Sequence, residues 1–378
     1  MKRKIFDIIV IVITLFILYQ IMIKKVLVYN SVSYALNLWV KNLIPTLFPF
    51  FIISDILINY NFTYYIPKTF KKICKYLFNI TDNMITILIL SIISGFPSNA
   101  RNTRILYDKG LITLDEANHI LIFSHFANPL FILTTVGTFF FKNKRIGIIL
   151  LISHYLSNFI LGIMFRKYFS HMNSITVSED NKINFGNIFV NAIKKSIDTI
   201  LLICGIVTIF MLLSSIINNT FNFNIYNSMI VKGLLEITIG IEALSNMNLS
   251  IIYKAVIASC FLAFGGFSVH MQVMGQITGT KIKYRYFFVG RIYQIILSAI
   301  ITFIICLFLV WKKQLTNCFL KTWWIVRCIN FRICLHHKFT FLNFITIRFI
   351  IVMKTYNHSF IFTFCFCCYK RFIRFTYY

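Results

Sequence analysis

Along the first 311 positions, apolar residues gather in runs separated by short polar or basic stretches. A helix needs roughly 17 to 25 such residues to cross about 30 Å of hydrocarbon. On that measure the chain offers spans or half-spans at 5–23, 43–58, 84–100, 118–141, 146–165, 188–217, 230–244, 251–274 and 286–311. Two of them are poor full spans. LIPTLFPFFIISDIL carries Pro45 and Pro49, and GLLEITIGIEAL carries Gly233, Glu236, Gly240 and Glu242, so both read as re-entrant hairpins. Each precedes a run broken from within: ILSIISGFPSNARNTRILYDKGLIT and SCFLAFGGFSVHMQVMGQITGTKI. Laid over one another with Gly95-Phe96 against Gly266-Phe267, the two share an apolar half-helix, a Gly-Phe break, a polar patch and a later glycine, Gly110 or Gly279.

Non-helical backbone survives at membrane depth only when it is buried in protein or faces a watery cavity. The paired breaks therefore predict an inward-facing binding site; two glycine-kinked packing helices are the alternative. Three clear spans between the breaks would make the halves parallel if the second hairpin does not cross, and two would make them inverted. The expected class is an all-α polytopic membrane protein with two gate-type repeats, each a re-entrant or interrupted hairpin plus a broken transmembrane helix. The expected divisions are 1–29, a first helix; 30–165, the first half; 166–187, a polar loop; 188–311, the second half; and 312–378, an atypical tail.

Composition agrees. The chain is 58% hydrophobic and 13% charged, against about a quarter charged for a soluble domain, which makes it an integral membrane protein. Lys2, Arg3 and Lys4 precede the first run, no small-residue cleavage site follows it, and Lys24 and Lys25 come next, so an uncleaved first span is expected. Basic loops at Lys68, Lys71, Lys72 and Lys75 and at Lys142, Lys144 and Arg145 are separated by two spans and are both expected on the cytoplasmic side. That topology accounts for the net charge of +27 better than nucleic-acid binding does. The tail holds eleven Lys and Arg, no acid, and no Gly, Ala or Pro, yet six of the ten cysteines, and reads as an out-of-frame extension or as a degenerate pair of spans. Its His336, His337 and cysteines match no closed zinc pattern.

The stretches LIPTLFPFFIISDIL, SGFPSNARNTRILYDKGLITLDEANHILIFSHFANPLFILTTVG and FGGFSVHMQVMGQITGTKIKYRYFFVGRI resemble the sporulation integral membrane protein YlbJ family. The gate regions of that family are shared with nucleoside-recognition membrane proteins. The resemblance implies a fold similar to concentrative nucleoside transporters, a place in the outer forespore membrane of an endospore former, and movement of dipicolinate toward the forespore. The chain departs from the family at Ser98-Asn99, where small residues are usual, and at Asn128, where glycine precedes proline.

A dianion in a bilayer needs compensating positive potential, and a helix restarting after Gly95 and Pro97 offers free N–H groups there. Ser98 and Asn99 are expected to cap that helix, and Arg101, with Arg104 three residues on, to present a planar fork to a carboxylate. Snorkelling to the membrane surface is the alternative for both arginines. The second break adds Gly266, Ser268, His270 and Gln272. Asn128 stands before a proline within a span, and Glu236 is an intramembrane carboxylate, a proton or cation site by default. No HExxH, GxSxG, GxxxxGK or GxGxxG occurs, so neither an enzyme nor a cofactor or metal site is expected. The expected partners are the lipid bilayer and a small anionic substrate, with a coupling ion and the oligomeric state open. A nucleoside-like transporter and a non-transporting scaffold for spore-envelope assembly are the other readings.

Overall fold

A computed structural model of the chain describes residues 2–169 and 184–333, with side chains from Lys4 to Leu309 apart from Phe6. Most of the expected polar loop and the tail beyond 333, including the reading of it as two spans, lie outside the described residues. The chain divides into one compact unit to Cys306 and a second from Leu307, and the first carries everything below.

All regular structure among the described residues is helical. Helix α1 (Lys2–Ile23) is followed by α2 (Lys25–Leu38), which runs through a π-helical turn, Trp39–Leu43, into α3 (Ile44–Asn59). Together Lys25–Asn59 form one 35-residue apolar helix. LIPTLFPFFIISDIL is therefore no hairpin. Pro45 follows directly on the π-helical turn and Pro49 lies inside α3, so the helix runs through both prolines, and the Thr46 hydroxyl donates to the Asn42 carbonyl at 2.6 Å.

Helices α4 (Lys68–Phe78) and α5 (Asp82–Ser94) meet at 92°. The chain then turns at Gly95-Phe96-Pro97 and comes back as α6 (Ser98–Asp108). The return is fixed by Asn83, at the start of α5, whose amide donates to the carbonyl of Leu111 just beyond α6 at 2.7 Å. The stretch 84–100 is thus one arm and the tip of a hairpin instead of a span. Gly95 takes φ +80°, and a Cβ there would lie 2.5 Å from the Asn128 nitrogen.

Helix α7 (Leu114–Phe123) opens with a capping box between Thr113 and Glu116. After a break at 124–130 a π-helical segment, Phe131–Phe140, continues. Both lie antiparallel along α8 (Lys144–Phe165). Phe123 abuts Gly162, the Ala127 N–H donates to His154 Nε2 at 2.9 Å, and Gly137 abuts Gly147. Since α8 is a 22-residue apolar helix, its broken neighbour makes one crossing.

The second half repeats this order. Helix α9 (Phe185–Phe221) leads to α10 (Ile225–Leu235) and α11 (Ile237–Ser245), which fold back at Glu236 so tightly that a Cβ on Gly240 would lie 2.1 Å from the Gly233 Cα. This hairpin is the one its sequence announces. Helices α12 (Ile251–Phe264) and α13 (Gly266–Ile277) form a single 27-residue span interrupted at Gly265 and Gly266, both at positive φ, and α14 (Tyr284–Ile333) follows, apolar from Tyr284 to Leu309.

The register of the repeat differs from the sequence overlay. The Gly95 turn corresponds to the Glu236 turn, and the 124–130 break to Gly265-Gly266. Gly-Phe serves a hairpin tip in one half and a broken span in the other, which is why the motifs overlaid. Each half has a leading helix, a hairpin that does not cross, a broken span and a full span. Three crossings are an odd number, so the second half is inverted relative to the first.

Several bonds gather the chain ends that this topology places on one side. Lys109 Nζ donates to Asn59 Oδ1 (2.8 Å), Arg104 to the Thr278 carbonyl (2.7 Å), the Lys283 N–H to Asn118 (2.9 Å) and Asn79 to the Arg166 carbonyl (3.0 Å). Lys142, Lys144 and Arg145 stand at the opposite end of α8. The two basic loops consequently face opposite sides, because 84–100 returns where a span was expected. The α4 side, with Lys68, Lys71, Lys72, Lys75, Arg166, Lys167, Lys281 and Lys283, is the cytoplasmic one by charge.

Candidate functional site

A cavity of about 240 Å³ lies where the breaks of both halves converge. The tip of the first hairpin brings Phe96, the first broken span Asn128 and Thr135, the second hairpin Glu236 and Thr238, and the second broken span Gln272; α3 adds Thr46, and Lys41 stands exposed at the rim. Of the residues proposed from sequence, Asn128, Glu236 and Gln272 line it.

Two of these three also hold the breaks together. Asn128 Oδ1 accepts from the N–H groups of Leu130 (2.8 Å) and Phe131 (3.3 Å), while its amide donates to the Ser94 carbonyl at 3.1 Å. One side chain thereby caps the start of the π-helical segment and the end of α5. Glu236 accepts from the N–H groups of Thr238 (2.8 Å) and Ile239 (3.1 Å) and from the Thr238 hydroxyl (3.1 Å). Its carboxylate sits on the positive end of α11. Gly95 packs on Asn128 and Gly266 on Glu236 and Ile237, where a Cβ would come within 3.4 Å of the Glu236 Cα. In both halves, then, a glycine lets one break rest against the cap of the other. Gln272 is different: it is nearly buried and makes no hydrogen bond to protein among the described residues.

Arg101 has a partner the sequence reading did not give it. Its two terminal nitrogens donate to the two oxygens of Asp55 at 2.9 and 2.6 Å, Nε donates to the Thr199 hydroxyl at 3.1 Å, and the guanidinium lies over the Phe51 ring at 5.2 Å. Arg101 and Asp55 are only 3% and 2% exposed. The fork expected to meet a substrate carboxylate ties α6 to α3 and α9. Arg104 is half-exposed and bonds Asp108 and the carbonyls of Gln276 and Thr278.

Ser98 and Asn99 lie inside the first turn of α6, after Pro97, and no side chain caps that helix. The Ser98 hydroxyl accepts from Ser94 (2.5 Å) and Asn102 (3.1 Å), and Asn99 Oδ1 stands 3.4 Å from His125 Nδ1. Ser268 is fully buried, its hydroxyl without a partner among the described residues. His270 links the Tyr284 hydroxyl (2.6 Å) to the Phe264 carbonyl (3.1 Å), which makes it a brace for the end of α12.

Arg291 was missed. It is fully buried in α14, donates to the Ile122 carbonyl at 3.0 Å and the His125 carbonyl at 3.4 Å, and bonds Gln294. It thus serves the carbonyls freed where α7 ends, at the negative end of that helix. The signal was present as a lone arginine in an apolar run. Among the described residues no group of three or more His, Cys, Asp or Glu could hold a metal ion.

The cavity can offer hydrogen bonds to a solute from both halves at once, with one cation at its rim and one carboxylate already engaged by its own helix. No protein-family model matches the chain, and no solved structure matches it. It is similar to the sporulation integral membrane protein YlbJ of Bacillus subtilis (strain 168), at 27% identity over 325 aligned positions covering 76% of this chain and 78% of that protein.

Proposed function

We propose that this chain, which belongs to the YlbJ family of integral membrane proteins, serves sporulation as a transporter that carries a small planar dianion, dipicolinate, through the cavity between its inverted halves. The observation that carries the reading is the cavity itself: breaks from both halves meet there, and Gln272 lines it with an amide that has no hydrogen-bond partner among the described residues. Its volume is below the roughly 300 to 1,000 Å³ of drug-sized ligand sites, a size suited to a one-ring solute. Thr135 and Gln272 supply neutral hydrogen bonds for carboxylates, and Lys41 is the one cation among the described lining residues. Glu236 holds α11 in place beside the solute.

The test is uptake of labelled dipicolinate by proteoliposomes containing the full chain, with uridine as a second solute. Gln272→Met should lower dipicolinate flux at subsaturating concentration by roughly two- to tenfold, the worth of one hydrogen bond, with unfolding temperature unchanged. Wild-type flux no greater than that of empty liposomes, or transport of uridine in place of dipicolinate, would overturn the assignment.

A further inference from the structure

We propose that α4, together with the end of α8, forms a docking surface for anionic phospholipid headgroups of the cytoplasmic leaflet. Helix α4 reads KTFKKICKYLF. At 3.6 residues per turn, Lys68, Lys71, Lys72 and Lys75 fall within an arc of about 100°. Phe70, Ile73 and Leu77 occupy the opposite arc, and Phe70 and Ile73 are exposed. A third face, Cys74 and Phe78, is buried in the protein, with Phe78 stacked on Phe123 at 5.5 Å. A helix with one face to protein, one apolar face uncovered and one face of lysines is built to lie at the plane where hydrocarbon gives way to headgroups.

Its direction agrees. Helix α5 enters the membrane as a hairpin arm, and α4 stands at 92° to it, hence along the surface. Tyr64, Tyr65, Tyr76 and Tyr168, on α4 and the segments that flank it, are all exposed, as interfacial aromatics are.

The charge is assembled from two distant segments. Asn79 bonds the carbonyls of Arg166 and Phe169 at 3.0 and 3.1 Å, and the Arg166 guanidinium lies 5.5 Å from the Tyr76 ring centre. This brings Arg166 and Lys167 to the lysine face. Within 60–82 and 165–169 the only acid is Asp82, already paired with Lys75 at 2.7 Å and Lys71 at 3.4 Å. Among the described residues Lys68 and Lys72 are exposed with no acidic partner. A surface that is basic on one side and apolar on the next complements a phospholipid with an anionic head, and such clusters gain affinity with every lysine near the surface.

Native mass spectrometry of the full chain, equilibrated with equal amounts of phosphatidylglycerol and phosphatidylcholine, tests this. Wild type should retain phosphatidylglycerol preferentially, and Lys68→Gln with Lys72→Gln should reduce that preference by about fivefold per lysine. Lys142→Gln with Lys144→Gln, at the other end of α8, should not change it. Because Lys68 and Lys72 make no bond among the described residues, the double variant keeps its fold; an unchanged unfolding temperature checks that. Equal retention of both lipids by wild type would overturn the proposal. So would displacement of phosphatidylglycerol by millimolar inorganic phosphate, which would make the patch a site for the free ion, or an undiminished preference in the double variant.

Discussion

Replacing Arg101 by glutamine should cost the protein more stability than any other single polar change in the first half. The guanidinium makes two charge-assisted bonds to Asp55 at 2.9 and 2.6 Å and a third bond to Thr199, all out of water. Glutamine cannot span the two carboxylate oxygens, so Asp55, 2% exposed, is left as a buried charge without compensation. Breaking such a pair by removing one partner costs about 3 to 5 kcal/mol. Removing both charges leaves no orphan, so Arg101→Gln combined with Asp55→Asn should recover at least half of that loss, a coupling only contacting residues show. The measurement is unfolding of the full chain in lipid nanodiscs, as a four-member cycle, with dipicolinate flux measured on each member that folds. If Arg101→Gln unfolds like wild type yet loses flux, the arginine touches the solute and its role as a strut is refuted. If the two substitutions simply add, the pair has no coupling energy and the reasoning fails as well.

Two further predictions concern the topology and the breaks. Cysteines placed at Lys72 and Lys144 should react with a membrane-impermeant thiol reagent from opposite sides, the first from the cytoplasm; labelling from one side would restore the arrangement in which 84–100 crosses. Gly95→Ala meets the Asn128 backbone at 2.5 Å as well as a positive φ, whereas Gly110→Ala has the positive φ with nothing within 4 Å. Thermal unfolding should therefore show a loss of several kcal/mol for the first, overpacking plus backbone strain, and about 1 to 2 kcal/mol for the second, strain alone; similar losses would mean the tip is free to move away.

What a single chain reveals about such a fold depends on whether the signal is local. The α10–α11 hairpin was readable because Glu236 sits between Gly233 and Gly240 within a few residues, and a carboxylate at that depth needs a turn to cap. The first hairpin was not, since it carries no charge between Asp82, where its first arm begins, and Arg101, and its tip, Gly95-Phe96-Pro97, uses the vocabulary of a kinked span. The bond that closes it, Asn83 to Leu111, involves residues without distinctive chemistry. LIPTLFPFFIISDIL misled for the opposite reason. Its prolines are strong local signals, yet the helix runs through both, Pro45 just after the π-helical turn and Pro49 inside α3, and Asp55 was answered by a residue 46 positions away.

The buried charges show the principle that joins these cases. Glu236 stands at the positive end of α11, Arg291 at the negative end of α7, and Arg101 faces Asp55. In hydrocarbon a charge is tolerated only beside an opposite charge or a helix end of opposite sign, so each lone charge in an apolar run implies one or the other nearby. Arg291 in the last apolar run therefore called for a broken helix elsewhere in the bundle, and the break at 124–130 is where its guanidinium arrives. Since an interrupted helix costs free energy wherever its ends go unsatisfied, the residues that satisfy these ends, Asn128, Glu236, His270 and Arg291, are the ones that keep the cavity open between them.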